Sequence, residues 1–268
     1  MKATVTYVAI LVGAAILALP SNVQADPLPV ANYSFENTYY DPTTFSTGYS
    51  PYDWTRWAPD SHMCYSVDVP ATEQGVPAPD GTRAMLVSGD AQGGAKDWAR
   101  YQITANPLQA NAVYTLTASY MRRMNTAANW GGYWLSILAS DGTNTYILAN
   151  NFGGAGSSGP DVPPRGVPFD VSVQVTIGGD LSSVPVISTV TGTVPDAVAD
   201  LSSGQYKIDV LVGGNYPGDV LAGGSKYWGC AHTLVDNVRL DIIPEPGTLF
   251  LLGMGLLGLL CYAWRKRR

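Results

Sequence analysis

Nine residues, Phe169-Asp-Val-Ser-Val-Gln-Val-Thr-Ile177, alternate apolar and polar without a break. A period of two puts five apolar side chains on one face and four polar ones on the other, whereas a helix would scatter both sets around its axis. Only a strand with one buried and one wet face satisfies the pattern. The same alternation recurs at Tyr114–Tyr120, Tyr206–Val210 and Val238–Ile242. Further strands are predicted at Val30–Glu36, Cys64–Val69, Arg83–Ser88, Ala99–Thr104, Tyr133–Ala139, Thr145–Ala149 and Pro185–Val190, divided by breaks rich in Gly, Pro and Asn. Asn150–Gly166, with Gly153, Gly154, Gly156, Gly159, Pro160, Pro163 and Pro164, reads as one long loop. A strand with one apolar face needs a second sheet to cover it, so the expected fold is all-β, an antiparallel sandwich of one domain without internal repeats.

The supporting composition is specific. Between residues 26 and 243 the only glutamates are Glu36 and Glu73, and Thr, Ser, Val, Tyr, Gly and Pro abound, which excludes a mostly helical fold. The same stretch holds ten Lys and Arg against 20 Asp and Glu, a net charge near −10. An acidic body with no basic run cannot neutralise phosphates, so nucleic acid is excluded as a partner.

The two ends are addresses. Lys2, the apolar run Val8–Leu19 and the small residues Val23 and Ala25 read as a signal peptide over residues 1–25, cleaved before Asp26. The body then occupies 26–243. Residues 244–268 begin with Pro244-Glu245-Pro246, continue through 17 apolar or small residues from Thr248 to Trp264, and close on Arg265-Lys-Arg-Arg268. Seventeen residues make about 25 Å of helix, enough for a transmembrane helix with its cations held in the cytoplasm. This three-part tail resembles the PEP-CTERM sorting signal of Gram-negative bacteria. The resemblance implies an exosortase as partner and passage through the inner membrane. It also implies a final place on the cell surface or in an extracellular matrix beside exopolysaccharide, as in a biofilm; a permanent single-span anchor is the alternative.

A second resemblance covers residues 30–242. It rests on Asn32-Tyr-Ser-Phe-Glu36, Asp80-Gly-Thr-Arg-Ala-Met-Leu86, Leu108-Gln-Ala-Asn-Ala-Val-Tyr-Thr-Leu116 and Leu234-Val-Asp-Asn-Val-Arg-Leu240. The pattern is similar to the galactose-binding-like jelly roll of carbohydrate-binding modules. It implies that the first segment lies beside the last strand and that Glu36 and Asp236 help to hold a structural calcium ion. The alternative is that both carboxylates satisfy backbone amides or an arginine.

Catalytic signals are sparse. His62 and His232 have no metal-ligand spacing, no G-x-S-x-G elbow occurs, and the acids sit mostly in turn contexts such as Asp80-Gly and Asp141-Gly. Cys64 and Cys230, the two cysteines of the body, are expected to form one disulfide in an oxidising compartment, with two buried thiols as the alternative. Aromatic residues in polar loops suit the apolar faces of sugar rings, which selects Trp54, Trp57, Trp130 and Trp228 as candidate sugar-binding residues. The expected function is therefore a non-catalytic surface or matrix protein that binds or organises extracellular polysaccharide. A structural matrix protein without a ligand site comes second, and a polysaccharide-degrading enzyme third.

Overall fold

The computed structural model describes residues 26–40, 49–56, 64–73, 75–88, 98–124, 131–156, 164–189, 198–214, 232–244 and 248–266. Two antiparallel sheets dominate them. The strands are β1 (Asp26–Leu28), β2 (Thr38–Tyr40), β3 (Tyr49–Pro51), β4 (Thr55–Arg56), β5 (Cys64–Asp68), β6 (Arg83–Ser88), β7 (Trp98–Pro107) and β8 (Ala112–Arg122). They continue as β9 (Gly131–Ser140), β10 (Thr145–Gly156), β11 (Phe169–Ile177), β12 (Val184–Pro185), β13 (Ser188–Thr189), β14 (Val198–Ala199), β15 (Lys207–Gly213) and β16 (His232–Pro244). The first sheet runs β11-β8-β16-β6-β5 with β1 added beside β16, and the second runs β13-β10-β9-β15-β7-β4. Two short ribbons, β2-β3 and β12-β14, complete the set.

The perfect alternation of Phe169–Ile177 becomes β11, paired along its whole length with β8. Its apolar face and those of β8, β9, β15 and β16 meet in one core that includes Tyr114, Leu116, Tyr120, Leu135, Ile137, Val171, Val173, Ile208, Val210, Val238 and Leu240. Tyr120 Oη spans the sandwich and donates to the Trp134 carbonyl at 2.7 Å. Its burial raises the phenol pKa well above the usual value. Close approach fixes Gly153 as well: a Cβ there would stand 2.8 Å from the Tyr133 ring. Pro27–Ile242 form one compact unit.

The outer face of the first sheet has its own cover. Val67, Val69, Ala84, Leu86, Met121 and Leu234 form a second apolar cluster, with Val76 and Ala78 packed on it. The one-turn helix α1 (Val69–Thr72) starts there, capped by Asp68, whose carboxylate accepts from Ala71 N at 3.1 Å. Glu73 ends it, fully buried, its carboxylate paired with Arg123 Nε and accepting from Met124 N at 2.7 Å.

Three sequence expectations need correction. Val30–Glu36 is not a strand: Asn32 and Phe35 take positive φ (50° and 57°), and Phe35 N donates to Asn32 O at 3.0 Å, so the chain turns. It still lies beside the last strand, where Val238 N donates to Tyr33 O at 3.0 Å. The loop expected from Asn150 begins later, because β10 continues to Gly156 in register with β9. Pro185–Val190 is divided into β12 and β13, which pair with different partners. One local duplication escaped the sequence reading: Asp180-Leu-Ser-Ser and Asp200-Leu-Ser-Ser. Each aspartate accepts from the Ser N two residues on, at 2.9 Å, and Leu201 N donates to Leu181 O at 2.7 Å.

The tail forms α2 (Thr248–Lys266), described by itself. Among the described residues no helix is long and apolar enough to cross a membrane, so the transmembrane reading of the tail is not supported by the structure. The signal peptide lies outside the described residues.

Candidate functional site

Two places collect polar groups that the apolar core does not use. The first is where the opening segment meets β16. Glu36 Oε1 accepts from Thr82 N (2.8 Å) and Arg83 N (2.6 Å), and its Oε2 accepts from Thr82 Oγ1 at 3.1 Å. Asp236 on β16 accepts from Asp80 N at 2.7 Å and from its neighbour Asn237 N at 2.7 Å. The turn Asp80-Gly81-Thr82 is thus held by two carboxylates from opposite ends of the chain. Gly81 permits it, with φ +74° and no side chain to strike Glu36. Asp236 is fully buried, and loss of hydration pushes its pKa up to about 8, aided by the nearby charges of Asp80 and Glu36.

These contacts realise the alternative in which the carboxylates satisfy backbone amides. Their oxygens are also the hard donors that calcium selects. Among the described residues, however, no group of three or more His, Cys, Asp or Glu is placed to hold a metal ion. A cation at Asp236 and Glu36 would need backbone carbonyls for the rest of its shell.

The second place is the outer face of the second sheet. On β9, Leu135, Ile137 and Ala139 point into the core, so Trp134, Ser136 and Leu138 take the other face. On β15, Ile208, Val210 and Val212 point inward, leaving Asp209 and Leu211 outside. Register sets Asp209 opposite Leu138 and Leu211 opposite Ser136, which makes Asp209 and Ser136 diagonal neighbours. All five are fully buried, yet none belongs to either apolar cluster. Ser136 Oγ is buried without a hydrogen-bond partner among the described residues. Trp134, Ser136 and Asp209 thus form a polar row buried off the core on this face.

The sequence-selected tryptophans fare differently. Trp54 is packed into the core, only 6% exposed, its ring 5.1 Å from that of Phe35 and its Nε1 donating to Asn32 O at 3.3 Å. It offers no open face to a sugar. The positive φ of Asp53 (67°) turns the chain inward at that point, which a polar local sequence does not reveal. Trp57, Trp130, Trp228, His62 and Cys230 lie outside the described residues, and with Cys230 so does the expected disulfide to Cys64.

Comparison with known proteins adds two findings. Residues 243–268 match the PEP-CTERM protein-sorting motif. The tail is a PEP-CTERM sorting motif. Its presence marks an exported, membrane-sorted protein. Upstream of the sorting motif, residues 26–157, just under half of the chain, match the HpiC1 cyclase family. No curated protein matches. Among solved structures, a cyclase from Fischerella sp. TAU superposes with a TM-score of 0.50 at 15% identity, covering 83% of this chain and 99% of that one. That likeness shows a shared fold. The CBM22-1 xylan-binding domain from Paenibacillus barcinonensis Xyn10C gives a TM-score of 0.41 at 8% identity, over 82% of this chain and 97% of that one.

Proposed function

We propose that this is a non-catalytic surface or matrix protein that binds or organises extracellular polysaccharide. The observation that carries the reading is the outer face of the second sheet, where Asp209, Ser136 and Trp134 are buried away from the core. The carboxylate of Asp209 and the hydroxyl of Ser136 are groups of the kind that bond sugar hydroxyls. The sorting motif supplies the place, with an exosortase as its partner and the inner membrane as its way station. Calcium at Glu36 and Asp236 is part of the proposal, as a structural ion that ties the opening segment to β16 and neutralises a buried acid.

Two outcomes follow. Asp209→Asn and Ser136→Ala, neither of which adds bulk, should lower retention of the full chain on immobilised glycans at least tenfold without moving the melting temperature by more than a few degrees; unchanged retention removes the polar row from the account. Replacing Pro244, Glu245 and Pro246 by alanine should leave the protein in the inner-membrane fraction, where cell fractionation and blotting would find it. Normal delivery of that variant to the surface would dismiss the exosortase.

A second reading, cyclisation of a small organic substrate, is favoured by the match of residues 26–157 to the HpiC1 cyclase family. In that case Asp209 is the buried group able to give or take a proton at a bound molecule. Turnover that Asp209→Asn abolishes, with no glycan retention in the parent chain, would favour it.

A further inference from the structure

An aromatic pair on the other side of the opening segment has no role in the core. The ribbon β2-β3 pairs Tyr39 with Ser50, and Tyr52 follows it directly. The rings of Tyr39 and Tyr52 lie 5.0 Å apart at 49°, and they are 38% and 49% exposed. Exposed tyrosines are common singly, but a touching pair on a fixed backbone is not what solvation alone selects.

The backbone beneath them is tied down. Asn32 Nδ2 donates to the carbonyls of Asn37 (2.8 Å) and Tyr52 (3.0 Å), and Asn32 Oδ1 accepts from Asn37 N at 2.9 Å. Tyr52 N donates to Asn37 O at 3.1 Å, so Tyr52 is held at both its N–H and its carbonyl. Trp54 bonds the Asn32 carbonyl and packs with its ring tilted against Phe35 inside the core. One asparagine thus joins a buried aromatic pair to an exposed one.

We infer that Tyr39 and Tyr52 form a preorganised stacking platform for a sugar ring of a neutral polysaccharide, a site separate from the buried polar row of the second sheet. The inference rests on the polysaccharide reading given above. Rings fixed before binding stack on the apolar face of a pyranose with little ordering cost, and the exposed Asp53 and Asn37 stand beside them to bond hydroxyls. Charge selects the ligand further. With 20 acids against ten bases in residues 26–243, anionic glycans are repelled and neutral ones are not.

Affinity electrophoresis of the full chain in detergent, through gels containing hydroxyethylcellulose, xylan, laminarin or alginate, tests this. The expected result is retardation by at least one of the three neutral polymers. Tyr39→Ala with Tyr52→Ala should weaken it at least tenfold, while Tyr39→Phe with Tyr52→Phe, which keeps both rings, should retain it. Retardation that the double alanine variant keeps in full overturns the platform and leaves the polysaccharide reading standing. No retardation in any gel overturns both. Retention on a proline-rich peptide column, lost in the alanine variant and without glycan retardation, overturns the sugar in favour of a peptide.

Discussion

In chelator, the melting temperature of the purified chain should fall as the pH is raised from about 5 to about 8, and Asp236→Asn should remove most of that slope. The direction follows from proton linkage. Asp236 holds its proton in the folded protein up to about pH 8, whereas the same carboxyl in an unfolded chain releases it near pH 4. Between those values the folded state binds more protons, so stability is full at the acid end and declines as the pH rises. The decline is about 1.4 kcal/mol per pH unit at its steepest, and it stops once Asp236 is ionised in both states. Asp141, Asp180 and Asp200 act elsewhere. Amides and hydroxyls of their own turns hold these exposed carboxyls below the usual range, so their effect lies in the acid limb, below the Asp236 window. The proposed calcium ion should reverse the alkaline loss, because a cation at this junction would favour the ionised carboxylate and stabilise the folded state. The calcium-induced rise in melting temperature should therefore be larger at pH 8 than at pH 5 and absent in Glu36→Gln with Asp236→Asn. A melt that calcium and chelator leave alike at pH 8 removes the metal and leaves two amide-binding carboxylates.

Glu73→Ala should cost the most of any single substitution, about 3–5 kcal/mol, because it strips one member from a buried ion pair. Glu73 is fully buried, and it is bonded by Arg123 Nε and by Met124 N at the end of β8. Its removal leaves a guanidinium 15% exposed and an amide without their acceptor, beside the apolar cluster on the outer face of the first sheet. In a domain of this size that corresponds to a fall of about 10 °C in melting temperature. Replacing Glu73 and Arg123 together by leucine and methionine should recover much of the loss, since the pair stabilises little beyond what its own burial costs. Thermal melts of the three proteins decide the matter. A single variant that melts within two degrees of the parent would contradict the account of this contact.

The strand pattern was legible where alternation was strict. Phe169–Ile177 appears at the expected limits, because one polar face and one apolar face leave the chain a single choice, and Arg83–Ser88 does so with both faces buried, Met85 and Val87 in the main core and Ala84 and Leu86 in the second cluster. Alternation tells which face a residue takes and not what covers that face, and there the reading failed. Asp209 sits at a position that period two assigns to water, yet it is fully buried. Glu73 is fully buried with no local sequence signal of it, since its partner Arg123 is 50 residues away. The resemblance in Asn32-Tyr-Ser-Phe-Glu36, Asp80-Gly-Thr and Asp236-Asn-Val238 did find the junction, where the turn joins Asp236 through the Asp80 amide and Glu36 through Thr82. Trp54 shows the limit of reading loops by polarity. Its neighbours Asp53 and Thr55 are exposed while the indole between them packs on Phe35.

A glycan array probed with the full chain in detergent, once with calcium and once with chelator, tests the central claim most directly. Binding to a class of neutral glycans, strengthened by calcium and reduced by Asp209→Asn, is the result this account predicts. Silence across the array from a chain whose circular dichroism shows the β-sandwich intact would contradict it and leave a structural matrix protein in its place.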